Sequence, residues 1–147
     1  MVEPGTKISR MSHLLRERAY IEKEMVRLTE PIEQDIEWLG NCHDVYVNAL
    51  REVNPDANPD SVKSRKKFLF AVLYVFSPGA LVGKKLRVGI RNKICEVFGD
   101  GAPSSVSHMA ENVAFLYNHY SSFRRDVDYI VNAMVKFLKG EDYIEKV

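Results

Sequence analysis

Basic residues are concentrated in one stretch of this 147-residue chain. Residues 61–99 contain nine Lys or Arg and one acidic residue, whereas residues 1–60 contain seven basic and twelve acidic residues. A local excess of cations of this kind is typical of a surface that contacts phosphate groups. Residues 63–67 fit equally a solvated surface balanced by the acidic N-terminal region. The predicted phosphate ligands are therefore the later five basic residues: Lys84, Lys85, Arg87, Arg91 and Lys93.

Three polar side chains follow this basic stretch at helical spacing. Ser105, His108 and Asn112 fall on one face of a predicted helix, opposite an apolar stripe that begins at Val106. The amide of Asn pairs with adenine through two hydrogen bonds, and the hydroxyl of Ser bonds to several bases. We expect these three residues to face base edges if the basic stretch contacts the backbone of a duplex.

Two short helices must position these groups. The pattern predicts a helix over residues 86–98 that ends at Gly99, because glycine adopts positive φ without a Cβ clash. A turn leads to a second helix, which Ser104 or Ser105 caps and which continues to Tyr120. This arrangement resembles the helix-turn-helix family, with small Cys95, apolar Phe98 and the run Val-Ser-His at residues 106–108 in matching places.

The resemblance implies that the first helix crosses a DNA backbone while the second enters the major groove. An αα-hairpin inside a helical core fits the same spacing, and that alternative stays open.

The N-terminal part of the chain is predicted to be a helical arm over residues 1–58. Apolar residues recur from residue 8 to residue 28, a break falls near Thr29, and a second helix runs from Pro31 to Val53. Met11, Leu14, Ile21, Met25 and Leu28 approximate a heptad seam. We therefore expect residues 8–53 to form a homodimer or a surface for another partner.

Residues 59–140 are predicted to form a helical core that contains the helix-turn-helix at 86–120. The apolar run 68–76 has the length of a buried strand, but no partner strand occurs elsewhere, which favours a central helix. A last helix follows Ser121. The predicted fold is all-α, with five to six helices and the helix-turn-helix in the C-terminal half.

The motifs of enzymes are missing from the sequence. The glycines are too scattered to form a phosphate-binding loop, His and Cys lack a metal-ligand spacing, and no serine lies in a nucleophile elbow. We expect no enzyme activity, no cofactor and no metal. No apolar run is long enough for a membrane span, and no signal peptide begins the chain. The two cysteines imply no disulfide, and a cytoplasmic location in a bacterial host is expected.

Residues 65–130 resemble small uncharacterised helical proteins of phages and mobile elements in gut anaerobes. The segments that carry this resemblance are RKKFLFAVLYVFSPGALVGKKL, GIRNKI, PSSVSH and FLYNHYSSFRRDVDYI. The resemblance brings no activity with it. The sequence thus predicts a DNA-binding protein, a phage-type transcriptional or replication accessory factor. The alternative is a helical structural or adaptor protein of a phage particle or protein complex that binds no DNA.

Overall fold

The computed structural model describes residues 3–99 and 103–140, apart from the side chains at 103–105 and 107. These residues form helices and connecting segments and contain no strand, so the predicted all-α fold of five to six helices is confirmed. Two short 3-10 helices lie at Ile36–Trp38 and Pro78–Val82. The α-helices are α1 (Pro4–Leu28), α2 (Leu39–Val53), α3 (Val62–Phe76), α4 (Ile90–Phe98), α5 (Pro103–His119) and α6 (Ser121–Leu138).

Contacts between residues divide the chain into two units, Met1–Glu30 and Pro31–Val147. The sequence places the boundary after residue 58, whereas the contacts place it between residues 30 and 31. The difference arises because α2 packs on α6 and α4 within the second unit. Its apolar stripe is buried there, so the part of the predicted dimer surface that lies on α2 serves the core of the unit: Leu39, Cys42, Tyr46, Ala49 and Leu50.

Helix α1 makes up most of the first unit. Pro4 opens the helix, where its missing N–H costs nothing. The backbone N–H and the hydroxyl of Thr29 both donate to the carbonyl oxygen of Met25, at 2.9 and 2.6 Å, and so close the last turn. No residue of this 25-residue helix is buried.

Residues 31–35 do not form the start of the helix that the sequence predicts from Pro31 to Val53. The N–H groups of Ile32 and Glu33 instead donate to the carbonyl oxygen of Val75, at 2.8 and 3.1 Å. Asp35 then accepts the N–H of Glu37 at 3.0 Å and caps the first 3-10 helix. Long-range hydrogen bonds to the end of α3 thus replace the local ones expected of a helix.

Helix α3 forms the centre of the second unit, as the apolar run 68–76 predicts. Ten of its fifteen residues are buried, and it packs on both α5 and α6. Burying a large apolar side chain stabilises a fold by about 1.5–3 kcal/mol, so this helix contributes a large share of the hydrophobic core. Helix α6 adds a periodic set of buried side chains: Phe123, Val127, Ile130 and Met134.

The core also contains one ion pair between α3 and α6. Nζ of Lys67 lies 2.8 Å from Oδ2 of Asp126, and the two side chains are only 3% and 4% exposed. Lys67 is therefore not part of the solvated surface expected as one reading of residues 63–67. Each charge needs the other, because an unpaired buried charge is strongly destabilising.

Two glycines set the limits of α4. Gly89 has a φ of 91°, and a Cβ at this residue would lie 2.7 Å from Cδ1 of Ile36. For this reason the helix begins at Ile90 rather than at the predicted residue 86. Gly99, at a φ of 76°, ends the helix as predicted.

Candidate functional site

The five predicted phosphate ligands lie in the second unit, and the structure separates them into two groups. Arg87 and Lys93 make polar contacts with neighbouring parts of the protein. Lys84, Lys85 and Arg91 line one groove.

Arg87 holds three loop segments together. Its Nη1 donates to the carbonyl oxygens of Glu33 and Phe76, at 3.1 and 3.2 Å, and its Nη2 donates to that of Gln34. Its backbone N–H donates to Oγ of Ser77 at 3.0 Å. The guanidinium thus satisfies backbone acceptors of residues 31–35 and the end of α3. This geometry favours a role in the fold and gives no support to the predicted phosphate contact.

Lys93 pairs with an acidic residue from the first 3-10 helix. Its Nζ lies 2.8 Å from Oε2 of Glu37 and 3.9 Å from Oε2 of Glu96. The hydrogen bond to Glu37 raises the pKa of Lys93 above its ordinary value. The ammonium group therefore joins α4 to the 3-10 helix, and a phosphate contact would compete with that bond.

The other three basic residues surround a groove of about 610 Å³. Lys84 and Lys85 are exposed and follow the second 3-10 helix, while Arg91 reaches the groove from the first turn of α4. The far wall is part of α5, at Ala110 and Glu111. The groove thus combines three cations with one carboxylate, and the helix that the sequence assigns to base reading forms one side of it.

The predicted base-reading residues do not share one exposed surface. His108 is exposed, whereas Asn112 is half-buried and its amide oxygen is buried without a hydrogen-bond partner among the described residues. The side chain of Ser105 lies outside the described part of the chain. Glu111, which precedes Asn112, is exposed and lines the groove. The structure therefore supports an exposed position for His108 but not for the amide oxygen of Asn112.

A second candidate site is the apolar face of α1. Seven of the eight large hydrophobic residues that are exposed in this helix lie on one half of its circumference, and Tyr20 lies on the other half. Val26 is 72% exposed and Leu15 is 64% exposed. We call the following set the apolar face of α1: Ile8, Met11, Leu14, Leu15, Ala19, Ile21, Met25, Val26 and Leu28.

Two ion pairs and one contact between a histidine and a glutamate lie within the helix beside this face. Arg18 donates through Nε to Oε1 of Glu22 at 3.0 Å, and Arg27 donates through Nη2 to Oε2 of Glu24 at 2.9 Å. The third contact joins His13 and Glu17 at 2.8 Å. Arg18 and Glu22 lie on the apolar half of the helix, among its hydrophobic side chains. The polar half carries the other two contacts.

Sequence reasoning missed the roles of Arg87 and Lys67, and the signals for them differ. Asp126 lies on the buried stripe of α6, between Phe123 and Ile130, and an acid at such a position indicates a buried cation nearby. No comparable signal exists for Arg87, because its acceptors are backbone carbonyl groups of residues 33 and 34 and of the end of α3. Only the path of residues 31–35 reveals them.

No group of three or more His, Cys, Asp or Glu side chains in residues 3–99 and 103–140 is placed to hold a metal ion. No helix among these residues combines the length and the apolar character needed to cross a bilayer.

Both cysteines are free, and burial raises the pKa of Cys42 to about 12. The Cys42 thiol therefore stays protonated and a poor nucleophile at neutral pH.

Comparison with known proteins identifies no relative. The chain matches no protein-family model, no curated protein and no solved structure. The geometry of the two candidate sites is therefore the basis for assigning a function.

Proposed function

We propose that this protein is a helical adaptor whose N-terminal helix docks onto another protein chain. The observation that carries the proposal is the apolar face of α1, which is exposed along nearly the whole helix. Contiguous apolar surface of this extent marks interaction sites, because leaving it in water sacrifices about 25 cal/mol for each Å². The resemblance to phage and mobile-element proteins makes a complex of that kind the expected setting.

The spacing of the face supports a helical partner. Leu14, Ile21, Met25 and Leu28 follow one another at steps of seven, four and three residues, which is the spacing of a seam between two helices. The second unit supplies the folded body to which this helix is joined. An adaptor needs both a docking element and such a body.

Affinity capture from an extract of the organism that encodes the chain tests the proposal. An untagged copy of the chain is also present, so that a second copy can be captured as well as another protein. The tagged chain is compared with a Leu14→Glu/Ile21→Glu variant and with an Arg16→Glu/Lys23→Glu control on the polar half of α1. We expect the double change on the apolar face to remove specific bound proteins, and the control to retain them. An identical set of bound proteins for all three chains would contradict the proposal.

DNA binding is a second candidate, and one specific observation favours it. Lys84, Lys85 and Arg91 meet at one groove beside α5, the second helix of the predicted helix-turn-helix. We propose these three as the phosphate ligands of that function, with His108 as the exposed base-reading residue. A role as a transcriptional or replication accessory factor rests on this contact.

Mobility shifts on random duplex DNA at several salt concentrations test this second candidate. Loss of two phosphate contacts in a Lys84→Gln/Lys85→Gln variant should reduce the slope of log K against log salt by about 2. A Lys136→Gln/Lys139→Gln variant removes two exposed lysines at the end of α6 and serves as the control. Absence of a shift, or equal slopes for both variants, would remove the groove as a DNA site.

A further inference from the structure

The two charges on the apolar face of α1 have a special position. Between Met11 and Leu28, Arg18 and Glu22 are the charged residues that lie on the apolar half of the helix. They are four residues apart, near the middle of this segment, and their side chains are 75% and 65% exposed. A docking partner must therefore accommodate one cation and one anion, which already pair with each other within the helix, in an otherwise apolar contact.

A second copy of α1 that runs in the opposite direction meets this requirement. Consider a two-fold axis that is perpendicular to the helices and passes at the level of residue 20. Each residue of one helix then lies at the level of the partner residue that is equally far from residue 20 in the opposite direction along the sequence. Arg18 then faces the partner's Glu22, and Glu22 faces the partner's Arg18. Both charges gain an opposite charge from the other chain.

The same operation matches the apolar residues with one another. Leu14 lies at the same level as the partner's Val26, and Leu15 lies at the same level as the partner's Met25. Each of these pairs occurs twice because the contact is symmetric. The face is thus self-complementary in both its charged and its apolar residues.

A parallel pair of helices lacks this complementarity. In that arrangement Arg18 would face the partner's Arg18, and Glu22 would face the partner's Glu22. Like charges placed opposite each other in an apolar contact are unfavourable. The positions of these two residues therefore select the antiparallel direction.

We infer that α1 pairs antiparallel with α1 of a second copy of this chain, an inference that rests on the proposed docking role of this face. The segment from Met11 to Leu28 extends over about 26 Å, at 1.5 Å per residue. One helix pair of this length gives an interface at the small end of the observed range. We therefore expect monomer and dimer to be in equilibrium, with a dimer fraction that rises with protein concentration.

Sedimentation of the full-length chain over a range of concentrations tests the inference. We expect the unsubstituted chain to dimerise, and Arg18→Glu or Glu22→Arg alone to weaken dimerisation by at least about tenfold, since each creates two like-charge pairs. An equimolar mixture of these two variants should dimerise again, because opposite charges then face each other in both pairs. Neither variant regains its own intrahelical pair, so the rescue reports a contact between chains. Arg16→Glu, on the polar half, is the matched control and should dimerise normally.

Disulfide trapping tests the direction of the helices. A Leu15→Cys/Met25→Cys chain should form covalent dimers under mild oxidation, whereas Leu15→Cys alone should not. The unsubstituted chain, with Cys42 and Cys95, is the control for the native thiols. Efficient trapping of the Leu15→Cys variant would mean a parallel pair and would overturn the inference.

A monomeric chain at every concentration would also overturn the inference. The proposed docking function then stands if capture of another protein still depends on Leu14 and Ile21, and it fails as well if nothing is captured. In a third case a lipid surface covers the apolar face, and flotation with phosphatidylcholine–phosphatidylserine vesicles tests for it. Monomeric chain that binds vesicles through the apolar face would overturn both proposals, since a lipid surface would be the occupant.

Discussion

Helices α1 and α6 have similar patterns and opposite environments. Each carries apolar residues at steps of three and four, and charge interrupts both stripes, at Arg18 and Glu22 in α1 and at Asp126 in α6. Four large apolar side chains of α6 are buried against the rest of the second unit, whereas α1 contains no buried residue. A periodic stripe thus predicts that a helix has an apolar face, but it does not tell what covers that face.

Replacing an isoleucine by glutamate in each helix should give the largest difference in stability between α6 and α1. Ile130→Glu should lower the free energy of unfolding by about 4 kcal/mol or more, because it places a carboxylate in a fully buried site. Ile21→Glu should change it by less than about 0.5 kcal/mol at low protein concentration, since Ile21 is 59% exposed. Urea denaturation of the two variants measures both values. Similar losses would show that Ile21 is also part of a packed core.

The charges on the two stripes sharpen the comparison. Asp126→Ala leaves Lys67 buried without its counter-ion, which should cost about 3–5 kcal/mol. Glu22→Ala removes an exposed partner of Arg18 and should cost less than about 1 kcal/mol. Thermal denaturation at one low concentration compares them. If the two losses are equal, the Lys67–Asp126 pair is not isolated from solvent.

The contrast between buried and exposed positions extends to the basic residues. Arg87→Gln should cost about 1–3 kcal/mol, because the three carbonyl groups that it satisfies lose a charged donor. Lys85→Gln should change stability by less than about 0.5 kcal/mol, since this lysine is exposed. Urea midpoints of the two variants provide the measurement. Equal midpoints would contradict the structural role of Arg87.

The sequence predicts the helices of this fold better than the partners of its charged residues. The all-α fold, the central helix at residues 68–76 and the end of α4 at Gly99 follow from local patterns. The non-helical path of residues 31–35 does not, because the end of α3 and Arg87 provide its hydrogen bonds from far along the chain.

The five predicted phosphate ligands form one group only because they are close together in the sequence. Folding places Arg87 against backbone carbonyl groups and Lys93 against Glu37, and it brings Lys84, Lys85 and Arg91 to one groove. A sequence shows which basic residues are close along the chain, but tertiary contacts decide which acceptors their side chains bind. The predicted base-reading set has a similar outcome, since the amide oxygen of Asn112 is buried while His108 is exposed.

Hydrogen–deuterium exchange at two protein concentrations tests most directly whether the apolar face of α1 is covered by a second copy of the chain. We expect backbone protection in α1 to rise with concentration, because pairing covers its apolar face, while α6 is strongly protected at both concentrations. Ile21→Glu should abolish the rise in α1 and leave α6 unchanged. Equal protection of α1 at both concentrations, with no change on Ile21→Glu, would contradict pairing of α1 with a second copy.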